Sequence, residues 1–285
     1  MELDESKKFL LYTLGTGFLL ILLACILQLC LVPGSDCSIP FFTNPDPKTY
    51  IYAEPPEYNL SPGSDYQAVL YTSEGNITLD LFEQNAPQTV NNFVFLATEG
   101  YYDGVKVHLL INDFAFQTGS RNSLDSDYSD DGEGGPGYTV PDEVNWDSLD
   151  IPQRQRVDLE ALGYISAPNL QSRPIKEYSL MMANSGEGGT GGSQFIIITA
   201  DSNDTRLIPL RGKHTVFGEV IDGFSVVDSI NMAEVEFDDT SEDSPYPKDE
   251  IVIEFVDILE VTSNGVLVNG DTSERTTRNQ NLTSR

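Results

Sequence analysis

Residues 66–97 read YQAVLYTSEGNITLDLFEQNAPQTVNNFVFLA, and this stretch predicts a β-hairpin followed by a helix. Apolar Ile77, Leu79 and Leu81 alternate with polar residues after the turn-like segment 73–76, which is the pattern of a half-buried hairpin. Pro87 suits the first turn of a helix, and apolar residues then recur at the three- and four-residue spacing of one buried helix face. The chain therefore enters its folded part as a β-hairpin and a helix.

Downstream of this stretch, the pattern is mostly that of strands. Gly100 suits the end of the first helix, and a second helix is predicted over residues 223–230. A long polar insertion covers residues 120–176. Strands are predicted over residues 105–116, 179–183, 194–199, 214–220 and 251–261. Many strands with two helices predict a mostly β fold, an antiparallel sheet or barrel capped by helices.

The N-terminal region has the pattern of a membrane anchor. Residues 9–35 carry no charged side chain, and the apolar run 9–32 is long enough to cross a bilayer as a helix. Lys7 and Lys8 precede it, so residues 1–8 are expected in the cytoplasm and the folded part outside the cell membrane. A cleaved signal peptide and a lipidated Cys25 in the sequence Leu22–Cys25 remain alternatives.

The predicted domain organisation follows from these patterns. Residues 33–65 are rich in Pro, Asn, Asp and Ser and predict an extended stalk, residues 66–262 form the domain, and residues 263–285 predict a disordered tail. With 45 Asp+Glu against 16 Lys+Arg, the net charge of −29 disfavours nucleic acid as a partner. The three cysteines lie at positions 25, 30 and 37, so no disulfide framework is expected in the domain.

Cofactor and metal sites are not expected from the sequence. His108 and His214 are the two histidines of the chain, and no third ligand has suitable spacing for zinc. Residues 127–132 resemble the start of a calcium loop, but Tyr138 stands where the loop needs a bidentate glutamate. We therefore predict no metal and no cofactor.

Six segments, in this order, resemble motifs of the cyclophilin family. They are Asn85–Phe93, Gly100–Gly104 followed by His108, Gly134–Glu143, Met182–Gly186, Gly192–Ile196 and Gly212–Gly218. The resemblance covers roughly residues 66–262. It implies an eight-stranded antiparallel barrel closed by two helices, with a groove that binds Xaa-Pro segments of extended polypeptides. It also implies prolyl cis-trans isomerase activity without cofactor or metal.

The resemblance also implies which residues form the groove, and it shows one departure at its centre. The family's catalytic arginine follows the histidine of the active-site strand, and Leu109 occupies that position here. Phe114, Gln117 and His214 match the family's catalytic positions. The substrate-binding positions are His108, Ala183, Asn184, Gln194, Ile196 and Leu210. Ala115, Ile196 and Pro209 stand where the family has methionine, phenylalanine and tryptophan.

Three functions are compatible with this pattern. The first is a membrane-tethered isomerase that assists the folding of extracytoplasmic proteins, slowed because Leu109 carries no charge or donor. The second is a non-catalytic module or chaperone that binds proline segments, and the third is a structural scaffold with a filled groove. A cation from Arg121, Arg206 or Arg211 within reach of the groove would favour the first.

Overall fold

The computed structural model describes residues 50–238, 241–261 and 267–269. In these residues the fold is mostly antiparallel β-sheet with three α-helices. The strands are β1 (Asp65–Thr72), β2 (Gly75–Leu81), β3 (Leu109–Ile111), β4 (Ala115–Thr118), β5 (Ser179–Met182), β6 (Phe195–Ile198), β7 (Val216–Asp222), β8 (Val235–Asp238), β9 (Ser241–Pro247), β10 (Ile253–Val261) and β11 (Leu267–Asn269). The helices are α1 (Pro87–Thr98), α2 (Gln153–Ala161) and α3 (Phe224–Asn231), and short 3-10 helices cover Asn122–Leu124 and Thr205–Leu210.

Nine of these strands form one antiparallel sheet in the order β11-β10-β1-β2-β7-β5-β6-β4-β3. The eight strands that the family resemblance implies correspond to β1 to β7 and β10. The single strand predicted over residues 105–116 is wrong, because a turn closed by the Phe114 N–H and Ile111 O divides it into β3 and β4. The segment before β3 also reaches β10, because Val107 N–H donates to Ile251 O over 2.9 Å and Ile253 N–H donates to Val105 O over 2.8 Å. These bonds join the two sides of the sheet around one core.

The hairpin and the first helix form as the opening stretch predicts. Leu70 pairs with Ile77 and Ala68 with Leu79 across β1 and β2, and all four side chains are fully buried. Helix α1 places Phe93 in the same core, where its ring lies 5.5 Å from those of Phe195 and Phe217. Burial of this apolar surface is the main stabilising contribution to the fold.

The insertion 120–176 is more structured than the sequence predicts. It contains α2 and a small apolar cluster of Val144, Trp146, Ile151, Leu159 and Tyr164. The indole Nε1–H of Trp146 donates to Gly212 O over 3.0 Å, so this cluster is hydrogen-bonded to the turn before β7. Helix α2 was not predicted because Leu159 is its one buried side chain, which leaves no apolar periodicity to detect.

The predicted stalk and tail are corrected in part. Residues 50–60, called the strap below, pack against the domain, where Leu60 is 6% exposed. The Asn59 N–H donates to Asn91 Oδ1 on α1 over 2.8 Å. The strap docks because Tyr50, Tyr52 and Leu60 provide apolar surface that has no regular spacing in the sequence. Residues 267–269, within the predicted disordered tail, form β11 beside β10.

The predicted membrane segment 9–32 lies outside the described residues, together with residues 1–8, residues 33–49 of the stalk and most of the tail. Among the described residues, none of the helices combines the length and the apolar character needed to cross a bilayer.

Candidate active site

Three predicted groove residues lie together on one apolar cluster, and their half-buried surface is called the apolar pocket below. Phe114 before β4, Ile196 in β6 and Leu210 at the end of a 3-10 helix are half-buried against one cluster that includes buried Met181 and Leu207. The carbonyl of Phe114 accepts hydrogen bonds from Thr199 N–H (2.8 Å) and Ala200 N–H (3.0 Å). These bonds fix the turn between β3 and β4, so the phenyl ring is held at the pocket.

A polar cavity of about 340 Å³ contains the predicted backbone-binding residues Gln117, Ala183, Asn184 and Gln194. Gln117 Nε2–H donates to Gln194 Oε1 over 2.7 Å. Gln194 Nε2–H donates in turn to Gly132 O and Gly134 O, each over 2.8 Å. Both ends of the Gln194 amide are therefore held, which orients the pair before any ligand binds.

The two glycine carbonyls that hold Gln194 belong to the insertion and were not predicted as site residues. A similar unpredicted contact fixes Asn184, whose Oδ1 accepts the Tyr164 hydroxyl over 3.1 Å. The Asn184 amide also donates to Lys213 O over 3.1 Å. The Gly134–Glu143 motif was the one sequence signal near these partners, and it did not specify which groups would touch the glutamine.

Leu109 lies on the strand next to that of Gln117. It is half-buried on β3 and is paired with Gln117 on β4. Its side chain has no polar atom, so it cannot donate to a bound amide.

The three candidate arginines differ in their surroundings. Arg121 donates from Nη1 to Tyr101 O over 2.7 Å and stacks 3.9 Å from the Tyr50 ring centre. Arg206 lies 4.8 Å over the ring of Phe114, but its guanidinium is paired with Asp204 at 2.6 Å. Arg211 lines a separate cavity next to His214. Arg206 is thus the candidate in contact with the apolar pocket, and its charge is already partnered.

Neither histidine is charged near neutral pH. Burial lowers the pKa of His108 to about 4, although the Gln194 side chain and the Lys106 backbone act in the opposite direction. Burial also lowers the pKa of His214, whose Nδ1–H donates to Met182 O over 3.0 Å. Both imidazoles are therefore uncharged.

Lys106 contacts the acidic loop 125–133 and also a glutamate outside this loop. Lys106 Nζ donates to Asp125 O over 2.8 Å and pairs with Glu250 at 2.6 Å. Within the part of the chain that the structure describes, no group of three His, Cys, Asp or Glu side chains is placed to hold a metal ion.

Asp131 in this loop gives a pH-dependent prediction. It is 4% exposed, its Oδ1 has no partner among the described residues, and burial raises its pKa from 3.8 to about 6. A raised carboxyl pKa means that the folded state binds the proton more tightly, so ionised Asp131 destabilises the fold above pH 6. We expect Asp131→Asn to raise the free energy of unfolding by about 2 kcal/mol at pH 8.

This gain should shrink as the pH falls from 6 and vanish below about pH 4, where Asp131 is protonated in both states. Urea unfolding of both proteins at pH 4, 6 and 8, followed through the fluorescence of Trp146, measures it. A gain that does not change with pH would contradict the burial of an ionisable group. Exposed Asp158→Asn is the control and should show little change at any of these pH values.

The strap supports the wall of the polar cavity. Tyr52 N–H donates to Pro136 O over 2.8 Å, and its ring packs against Phe95 on α1 and against Tyr138. The Tyr138 hydroxyl donates to Asn92 Oδ1 over 2.7 Å, and Pro136 and Tyr138 both line the cavity. The strap therefore contacts Pro136 and Tyr138, and both of these residues line the polar cavity.

We expect Tyr52→Ala to weaken the binding of a proline peptide about threefold to tenfold, because the wall around Pro136 loses its support. Tyr52→Phe is the matched control. The Tyr52 hydroxyl is buried without a partner among the described residues, so its removal should leave affinity unchanged and stability unchanged or slightly higher. Isothermal titration of the three proteins measures the effect, and equal affinities for all three would exclude a role of the strap.

With this geometry in place, comparison with known proteins identifies the family. Residues 68–257 match the family model described as cyclophilin type peptidyl-prolyl cis-trans isomerase/CLD. The chain belongs to the cyclophilin-type peptidyl-prolyl cis-trans isomerases, a family of enzymes.

Individual relatives agree with this assignment. The chain is 35% identical over 170 residues to a peptidyl-prolyl cis-trans isomerase of Helicobacter pylori, which covers 59% of this chain and 82% of the relative. It is 34% identical over 215 residues to peptidyl-prolyl cis-trans isomerase A of Mycobacterium tuberculosis, covering 70% and 94%. A solved cyclophilin-type isomerase of Cryptosporidium parvum is 26% identical, with a TM-score of 0.48 and coverage of 67% and 96%.

Proposed function

We propose that this protein binds Xaa-Pro segments and isomerises the prolyl bond slowly, because Leu109 occupies the position at which the family has its catalytic arginine. The observation that carries the proposal is the combination of a half-buried apolar surface and a fixed glutamine pair, with an uncharged residue on the strand beside that pair. The residues expected to bind the peptide are therefore present, whereas the residue expected to accelerate its isomerisation is replaced.

The chemistry separates the two tasks. The barrier to prolyl rotation of about 18–20 kcal/mol comes from the amide resonance that is lost as the C–N bond twists. Phe114, Ile196 and Leu210 can enclose the proline ring, and Gln117 and Gln194 can hold the neighbouring backbone. These groups bind the ground state and the twisted state alike. Acceleration requires a group that favours the twisted amide more, which in the family is the arginine.

The proposal is tested with the full-length protein in mild detergent and a capped peptide that contains one Ala-Pro bond. Exchange spectroscopy reports the cis-trans rate, and shifts of the peptide resonances report binding. Binding with a small but measurable acceleration is the expected result. Acceleration comparable to that of the Mycobacterium tuberculosis relative would show that Leu109 does not limit the rate, and absence of binding would refute the function.

The second candidate is a proline-segment binding module or chaperone without catalysis. Leu109 is the observation that favours it, because the pocket needs no cation to bind. The same experiment distinguishes the two: peptide shifts with an exchange rate equal to that of the free peptide would leave the binding module as the function.

We also propose that the domain acts outside the cytoplasm on a single-pass anchor. The proposal rests on the uncharged run 9–32 with Lys7 and Lys8 before it. If it is right, alkaline carbonate will leave the protein in the membrane fraction, and protease added to intact cells or spheroplasts will digest the domain. Release into the soluble fraction by carbonate would contradict the anchor, and protection of the domain from protease would contradict its orientation.

A further inference from the structure

A cavity of about 290 Å³ lies between the insertion and the turn that ends at His214. Arg173 and Ile175 contribute to it from the insertion, and Arg211 and His214 contribute from the turn. This cavity, called the arginine cavity below, is distinct from the polar cavity that contains Gln117 and Gln194.

The arginine cavity adjoins the apolar pocket. Ile175 lines the cavity and also belongs to the cluster on which Phe114, Ile196 and Leu210 pack. Leu210 directly precedes Arg211 in the chain. Since one residue of extended peptide spans about 3.3–3.6 Å, a residue one or two positions from a proline in the pocket would reach this cavity.

The charge of the cavity differs from that of the rest of the protein. The chain has a net charge of −29, and five Lys or Arg side chains of the described part form ion pairs with Asp or Glu. Neither Arg173 nor Arg211 takes part in an ion pair among the described residues. Arg173 instead donates from Nε to the neutral amide of Asn85 and lies 4.7 Å over the ring of Phe82.

Neither arginine forms an ion pair among the described residues, although one carboxylate lines the cavity. Asp150 is the acidic residue that lines it, and its side chain is exposed. Guanidinium groups prefer carboxylates, which they bind through two parallel hydrogen bonds. An acidic client segment would be repelled by most of this protein's surface, so it needs local cations to bind.

We propose that the arginine cavity is a specificity subsite for the carboxylate side chain of a Glu or Asp that neighbours the bound proline. Arg211 is the principal ligand and Arg173 the second. The subsite rests on the proposed binding of Xaa-Pro segments and adds a substrate class to it, namely proline segments with acidic neighbours.

The test compares two capped peptides, Gly-Glu-Ala-Pro-Glu-Gly and Gly-Gln-Ala-Pro-Gln-Gly, titrated into the full-length protein in mild detergent at low salt. We expect the glutamate peptide to bind about tenfold more tightly than the glutamine peptide. Arg211→Glu should abolish or invert this preference, and Arg211→Gln should reduce it. Both changes are at an exposed side chain, so the fold should be retained.

Arg154→Glu is the matched control. It makes the same change in net charge on the exposed face of α2, outside the cavity, and should keep the preference. Equal binding of the two peptides by the unmodified protein would overturn the subsite and leave the proposed function intact. An equal loss of preference in Arg154→Glu and Arg211→Glu would overturn it too, because the effect would then be long-range. Failure of both peptides to bind would refute the proposed function together with the subsite.

Discussion

Leu109→Arg is expected to raise the catalysed rate of prolyl exchange by about 10²–10³, the typical value of one preorganised donor to a transition state. The new side chain would start from β3 directly beside Gln117, next to the fixed glutamine pair. Its guanidinium would favour the twisted amide over the planar one, so kcat should rise more than the peptide affinity. Exchange spectroscopy at several peptide concentrations separates the two quantities.

Leu109→Gln is the control for this prediction, because it adds a long polar side chain without a charge. We expect it to accelerate exchange far less than the arginine does. Equal acceleration by both variants would mean that a neutral donor is sufficient. No acceleration by either would mean that a second position limits the rate, for instance Pro209 at the family's tryptophan position.

Glu143→Ala is expected to lower the free energy of unfolding by about 3 kcal/mol. Glu143 is 4% exposed and accepts three hydrogen bonds, from Gln88 N–H (3.0 Å), Thr89 N–H (2.8 Å) and the Thr89 hydroxyl (2.8 Å). Helix α1 has no side-chain cap of its own, since Ala86 stands at the capping position. The insertion thus provides the cap for a helix that the sequence places far before it.

Two further variants test this explanation. Glu143→Gln keeps an acceptor but removes the charge that interacts with the helix N-terminus, so its loss of stability should be clearly smaller. Glu160→Ala, at an exposed position on α2, should change stability by less than about 0.5 kcal/mol. Urea unfolding measures all three, and a Glu143→Ala loss as small as that of Glu160→Ala would contradict the capping role.

The sequence predicts the parts of the fold in which local pattern and burial agree. The hairpin of β1 and β2 and helix α1 appear where alternation and helical spacing place them, because each buries one regular face. The strap was misinterpreted as stalk, since Tyr52 packs against Phe95 and Tyr138, which are distant in the sequence. A contact between residues that are far apart in the sequence leaves no periodic pattern from which it could be predicted.

The candidate site, like the fold, is only partly predictable from the sequence. Family motifs pointed to Phe114, Gln117 and Gln194; the structure places both glutamines at the polar cavity and Phe114 on an apolar cluster. The motifs did not identify the carbonyls of Gly132 and Gly134 as partners of Gln194, because any residue has a carbonyl and its position depends on the path of the insertion.

The edge strands of the sheet also affect how readily the protein could aggregate. An open strand edge is a template for pairing with other chains. On the side of β10 that faces away from β1, residues 251–253 are paired with the segment before β3 and residues 259–261 with β11. The interval between these paired segments, residues 254–258, carries Glu254 and Asp257, and β9 lies against β3 at the other end of the sheet. High salt that screens the charge of −29 would therefore still leave little backbone on which a second copy could extend the sheet.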